Sequence, residues 1–246
     1  MNNIMNLAVD AVFVITCKKG FEDRRRSIER QFGQRNIPFE YILDHDVADL
    51  SQEYIAERFN ADTLRKVDMS IISKHFEICK IVVERKLKNV LVFEDDIVFL
   101  EAFDEHIEDI LAEAKTIKGD FCVYFSNACH LYVAPQLIKK GKHIYPGNKC
   151  RAADSFYMNY GAALKRWEYF KNNKIFEPID ITFNHVDPSI GVDFLWTEKI
   201  LIEQGSMNGL FDSSLETRKK KSLYRKMRWN LDCFYKKNIR SRFKRS

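Results

Sequence analysis

The chain has no Cys-x-x-Cys pair, no apolar run long enough to cross a bilayer, no internal repeat and no low-complexity block. Its six cysteines (17, 79, 122, 129, 150 and 233) are scattered, four of them within or beside apolar runs. They therefore read as reduced core thiols rather than as a disulfide framework or zinc site. The longest apolar stretch near the start, Leu7 to Cys17, is interrupted by Asp10 and is too short to span hydrocarbon. Met1 to Asn6 lacks the basic region of a secretory signal, so the expectation is a cytoplasmic protein without a membrane span. Histidine is also scarce, and no histidine-rich second metal set of the kind a two-metal phosphohydrolase uses can be found.

What is present is an ordinary globular composition, 46% hydrophobic and 30% charged over 246 residues, enough to bury a sizeable core. The net charge of +5 hides an asymmetry. Residues 217–246 carry 13 lysines and arginines against one acid, Asp232, whereas residues 1–216 carry 27 basic and 34 acidic residues. The body, 1–216, is thus about −7 and does not look built for nucleic acid. The tail, 217–246, mixes its cations with Leu223, Tyr224, Trp229 and Phe234, which fits a basic helix lying peripherally on an anionic membrane. A disordered basic end, or a helix packed on the body, is the alternative.

The stretch around which the body is organised is Asn89 to Phe99, where the apolar run Val90–Phe93 drives into Glu94, Asp95 and Asp96. The run reads as a strand covered on both faces. Three adjacent carboxylates raise one another's pKa, and hard oxygens on short side chains suit Mg²⁺ or Mn²⁺. A solvated acidic turn is the competing reading. Asp10 to Cys17 is a second strand, followed by a helical pattern over Phe21 to Phe32 with Arg24, Arg25, Arg26 and Arg30 on its basic face. Phe39 to Leu43 reads as a further strand, Ser51 caps a helix through Phe59, and Met69 to Lys86 forms a long helix carrying Ser73 and His75 near its start. Phe103 to Lys115 is amphipathic, Asp120 to Phe125 is a buried strand, and Ser155 to Lys171 is a strand turning into a helix. Ser126 to Asp154 is irregular, Asp187-Pro188 reads as a turn, Lys199 to Ile202 as a strand, and Gln204 to Ser214 as a polar loop. Strands alternating with helices predict an open, mostly parallel α/β sheet, which binds ligands at the carboxyl ends of its strands.

Taken in order, these motifs resemble the family 25 glycosyltransferases, which include bacterial lipooligosaccharide galactosyltransferases and the collagen galactosyltransferase domain. The resemblance rests on Val12 to Cys17 followed by Asp23-Arg24, on Ser73-Lys74-His75 leading to Leu91 through Asp96, on Asp120 to Phe125, on Phe156-Tyr157 to Ala162-Ala163, on Pro178-Ile179-Asp180, and on Gln204-Gly205-Ser206 with Ser213-Ser214. It covers roughly residues 10 to 215. Departures are Thr16-Cys17 in place of Asn-Leu, Lys74 between the serine and the histidine, and Lys199 where a proline is common.

The resemblance implies a Rossmann-like GT-A fold that binds a UDP-sugar with Mn²⁺ or Mg²⁺ and transfers a hexose, galactose favoured, to a glycan acceptor such as a lipid-linked lipooligosaccharide, with inversion. On that basis Asp96 and Glu94 are assigned to the metal, and Glu94 and Asp95 to the metal and ribose region. Ile15, Thr16, Arg24, Ser73, His75, Gln204, Gly205 and Ser206 are assigned to the donor. Asp180 is the first candidate for the base that takes the acceptor's proton, with a further metal ligand or a helix N-cap as its alternatives; His185, Asp187 and Asp193 rank after it. The competing function is a non-catalytic nucleotide- or glycan-binding module on a degenerate transferase fold.

Overall fold

Two short runs fix the centre of the molecule. In β1 (Ala11–Ile15) and β3 (Asn89–Glu94), side chains alternate across the sheet, and both faces are apolar. Phe13, Ile15, Val90 and Val92 enter one core, while Val12, Val14, Leu91 and Phe93 enter another on the opposite face. The computed structural model describes residues 7–208, 210, 211, 231 and 235. The tail 217–246 therefore lies outside the described residues except for Leu231 and Tyr235, both exposed.

The remaining elements are α1 (Glu22–Arg35), β2 (Glu40–Ile42), α2 (Gln52–Arg58), α3 (Lys66–Arg85), β4 (Ile97–Phe99), α4 (Glu101–Ala114), β5 (Phe121–Tyr124), β6 (Ile144–Pro146), β7 (Ser155–Asn159), α5 (Tyr160–Asn172), α6 (Ile179–Ser189), β8 (Asp193–Thr197), β9 (Ile202–Gln204) and α7 (Gly205–Asn208). Seven strands form one sheet in the order β2-β1-β3-β7-β5-β8-β6, and β4 pairs with β9 as a separate ribbon. Helices α1 and α4 cover one face through Ile28, Phe32, Phe103, Ile107 and Leu111, while α3, α5 and α6 cover the other through Ile72, Phe76, Ala163, Phe170 and Phe183.

The sheet is mostly parallel, with two exceptions. β7 runs against both of its neighbours, and β6 runs against β8. The chain leaves β5 at the carboxyl edge and re-enters at Ser155 on that same edge, so β7 has to run the other way. Consequently the ends of β1, β3, β5 and β8 and the start of β7 all meet at one edge.

Several sequence boundaries shift for local reasons. α3 begins three residues before Met69, because the Asp68 carboxylate accepts from the Arg65 amide at 3.1 Å and from its guanidinium at 2.7 Å, closing the first turn. Pro188 does not make a turn but sits in the last turn of α6. The last strand is Ile202–Gln204 rather than Lys199 to Ile202, since Thr197 Oγ1 donates to the Lys199 carbonyl at 2.7 Å and holds the preceding residues as a turn. Residues 204–208, read as polar loop, are the end of β9 and the short helix α7. Ser51 does cap α2, accepting from the Tyr54 amide at 3.1 Å.

The helical layer over β7 is locked by an ion pair with no solvent exposure at either side chain. Arg166 Nε and Nη2 donate to Asp187 at 2.9 and 2.5 Å, Nη2 also reaches Tyr124 Oη at 3.2 Å, and the guanidinium lies 3.7 Å from the Phe183 ring centre. His75 is buried beside it between Phe156 and Phe183, its pKa lowered to about 3 by burial and then by Arg166.

Arg166→Met is expected to cost about 3–5 kcal/mol in chemical denaturation by stranding the Asp187 charge, whereas Arg166→Met combined with Asp187→Leu should recover most of that loss. His75 has a folded pKa below its unfolded one, so the stability it contributes is full above about pH 6.5 and is lost as pH falls toward 3, by at most about 1.4 kcal/mol per pH unit. Over that window His75→Gln should show a shallower fall in stability than the parent protein in pH-resolved melts.

Candidate active site

At the carboxyl edge the strand ends open into a cavity of about 480 Å³. Ile15, Thr16 and Cys17 from the end of β1 and Glu94, Asp95 and Asp96 from the end of β3 form its floor. The first turns of α1 and α6 supply walls through Arg24 and Asp180, the third turn of α3 through Lys74, and the lead-in to β7 supplies Ala152, Ala153 and Asp154. Gln204 and Ser206 close it from the β9–α7 corner.

The three acids after β3 have different environments. Asp95 is bound on both oxygens, accepting from Thr16 Oγ1 at 2.6 Å and from Arg24 Nη1 at 2.8 Å. Burial raises its pKa, and Arg24 and Thr16 oppose that rise. Asp95 thereby sets the position of Arg24, which also lies over the Phe21 ring at 4.8 Å. Glu94 rests against His75, 3.5 Å from Nε2, and its carboxyl is pushed well above the carboxylate range by burial and then by Asp96, Asp154, Asp180 and Asp95. Asp96 is 3% exposed, and its Oδ1 is buried without a hydrogen-bond partner.

Asp154, which the sequence reading did not single out, completes the set. It is 1% exposed, and its Oδ1 accepts from Ser155 Oγ at 3.0 Å and from Ser126 Oγ, while Oδ2 has no partner. Burial pushes its pKa up to about 7, the Ser126 bond opposes the rise, and Asp96 adds to it. Asp180 is not an N-cap: Pro178 holds that position, and Asp180 Oδ1 accepts from the Ala153 amide at 2.6 Å and lies 3.8 Å from Cys150 Sγ. Burial raises its pKa too.

Glu94, Asp96, Asp154 and Asp180 thus converge, and among the described residues no lysine or arginine is ion-paired to any of them. The nearby cations are committed elsewhere. Arg24 is held by Asp95, and Lys74, 1% exposed, reaches Asp46 Oδ1 at 2.9 Å and the carbonyls of Asp44 and Leu43 at 2.7 and 3.1 Å. Among the described residues, no three His, Cys, Asp or Glu side chains form a set that could hold a metal by themselves. Two unpartnered carboxylate oxygens, Asp96 Oδ1 and Asp154 Oδ2, nevertheless suit a hard cation whose other ligands come from substrate and water.

Ile15, Thr16, Arg24, Glu94, Asp95, Asp96, Asp180, Gln204 and Ser206 all line the cavity. Ser73 and His75 do not. The stripe of α3 that faces the opening is Val67, Asp68, Ser70, Ile71 and Lys74, and at about 100° per residue it leaves Ser73 and His75 turned away. Ser73 donates to the Met69 carbonyl at 2.8 Å and accepts from Tyr54 Oη, and His75 supports Glu94 from below. Gly205 takes part through its backbone: its amide donates to the Asp96 carbonyl at 2.6 Å, and a Cβ there would stand 2.8 Å from that oxygen. The remaining acid–base candidates lie off the wall. Asp187 is spent on Arg166, Asp193 starts β8 at the opposite edge, and His185 is exposed with Nδ1 2.6 Å from Glu177. The signal that could have found Asp154 is its solitude, since residues 121–153 contain no acid.

Residues 9–182 match the family model described as Glycosyltransferase family 25 (LPS biosynthesis protein). A Drosophila melanogaster protein named Glycosyltransferase 25 family member is 28% identical over 130 residues, covering 48% of this chain and 21% of that protein. A Haemophilus influenzae (strain ATCC 51907 / DSM 11121 / KW20 / Rd) protein, provisionally named a glycosyltransferase, is 27% identical over 202 residues, covering 78% of this chain and 66% of that one. The chain thus spans about a fifth of the first relative's length and just under two thirds of the second's. With the family model matching well over half of the sequence, and with its span containing the ends of β1 and β3, Asp154 and Asp180, this chain belongs to glycosyltransferase family 25.

Proposed function

We propose that the chain is a metal-dependent glycosyltransferase of GT-A type that moves a hexose, galactose favoured, from a UDP-sugar to a glycan acceptor with inversion. The observation that carries this reading is the pair of buried, unpartnered carboxylate oxygens of Asp96 and Asp154 on the wall of a cavity at the strand ends. A volume of about 480 Å³ lies in the range of small-molecule sites. A divalent cation bound there would neutralise the charge that develops on a diphosphate leaving group.

Asp96 and Glu94 are the residues to hold that cation, with Asp154 beside them. Asp95 keeps Arg24 aimed at the donor, where a guanidinium can take phosphate oxygens in a fork. Thr16, Gln204 and Ser206 offer hydroxyl and amide groups to the donor's hydroxyls. Asp180 takes the acceptor hydroxyl's proton: Oδ1 is fixed by the Ala153 amide, Oδ2 lies outside that bond, and burial makes the carboxylate a stronger base than a solvated one.

Calorimetry with UDP should give binding that Mn²⁺ strengthens, and Asp96→Ala should remove the Mn²⁺-dependent part while cutting metal-dependent UDP-sugar hydrolysis by about 100-fold or more. UDP binding indifferent to Mn²⁺, or no UDP binding, sinks the proposal. In chelator-treated protein, Asp154 has a folded pKa of about 7, above its unfolded value, so the stability it contributes is full at acidic pH and is lost as pH rises toward 7. Melting curves of Asp154→Asn across that window should accordingly decline less with rising pH than those of the parent.

A further inference from the structure

The segment between β5 and β7 carries a feature that sugar transfer does not use. From residue 121 to 153 there is no Asp or Glu, while Lys139, Lys140, Lys142 and Lys149 fall within it. Immediately before the first three stand Leu137 and Ile138, 53% and 42% exposed. Two adjacent aliphatic side chains left in water forgo most of the stabilisation that burial would bring each of them.

The loop is held in place. Pro135–Leu137 forms a single 3₁₀ turn, with the Leu137 amide donating to the Ala134 carbonyl at 2.9 Å. The buried Tyr145 anchors the lysine-bearing stretch after it: its hydroxyl accepts from the Lys139 amide at 2.7 Å and lies 3.2 Å from the Lys142 carbonyl, and Lys142 Nζ sits 5.2 Å from the ring centre. A buried tyrosine therefore fixes a loop that displays two aliphatic side chains and a row of cations outward.

Its location is as informative as its composition. The next strand, β6, is the outermost of the sheet and pairs Ile144 with Thr197, the last residue of β8, so the loop approaches the carboxyl edge at that side of the sheet. The other exposed large apolar side chains of the body, Val47, Phe176, Ile181 and Leu210, are in segments at this same edge.

We infer that the loop 137–142 is a membrane-docking element that seats the cavity edge of the protein on an anionic lipid surface, Leu137 and Ile138 entering the interface and Lys139, Lys140 and Lys142 facing lipid phosphates. Aliphatic residues next to lysines, with no acid among them, match both layers of such a surface. A protein groove matched to two leucine-sized side chains would leave the adjoining lysines without a stated partner. The inference concerns the surface alone and stands apart from the transferase reading; only the corollary that the acceptor sits in the same membrane rests on that reading.

The test uses the full chain and hydrogen exchange with phosphatidylcholine vesicles, with and without phosphatidylglycerol. Amides of residues 136–142 should slow only when phosphatidylglycerol is present. Leu137→Ser with Ile138→Ser should lower vesicle partitioning about tenfold while leaving melting temperature and hydrolysis of a soluble UDP-sugar unchanged. Protection confined to 217–246, unchanged partitioning of the double variant, or no vesicle binding by the intact chain overturns the inference. Loss of UDP-sugar hydrolysis in the parent protein would count against the transferase reading and leave this one standing.

Discussion

Burying a carboxylate beside other carboxylates costs several kcal/mol unless hydrogen bonds or a cation offset it, and this protein does so four times at one end of its sheet. Three of the four acids are held by neighbouring groups. Ser126 and Ser155 hold one oxygen of Asp154, the Ala153 amide holds Asp180, and His75, itself locked between two phenylalanine rings, backs Glu94. Rigid packing on both faces of β1 and β3 keeps these supports from relaxing away.

The nearby cations are deployed so as not to fill the gap. Arg24 is paired with Asp95, Lys74 with Asp46 and two carbonyls, and Arg166 with Asp187 in a layer below. Had any of them swung into the cavity, the acid cluster would be self-neutralised and would attract nothing. Instead the wall keeps its negative field and its two unpartnered oxygens.

Much of this scaffold is legible in the sequence because it is local. The doubly apolar runs at Val12–Ile15 and Val90–Phe93 could be read as central strands, Ser51 as a cap, and Phe103 onward as an amphipathic helix. What escaped is set by long-range geometry. The reversed direction of β7 follows from where the chain re-enters the sheet, which no periodicity reports. The choice of Lys74 over Ser73 and His75 at the cavity depends on the rotation of α3 about its axis, and adjacent residues in a motif cannot all share one face. Asp187 looked like a free acid because its partner, Arg166, lies 21 residues away on another helix.

The irregular segment 126–154 brings these threads together. It contributes Ser126 and Asp154 to the acid cluster and, between them, an acid-free loop whose lysines face outward. Because β5 and β7 are neighbours with the segment's two ends at the same edge, one excursion of the chain brings Ala128, Cys129, Ala152, Ala153 and Asp154 to the cavity lining. The same chain reversal that places β7 antiparallel thus brings the second unpartnered carboxylate, Asp154, to the cavity.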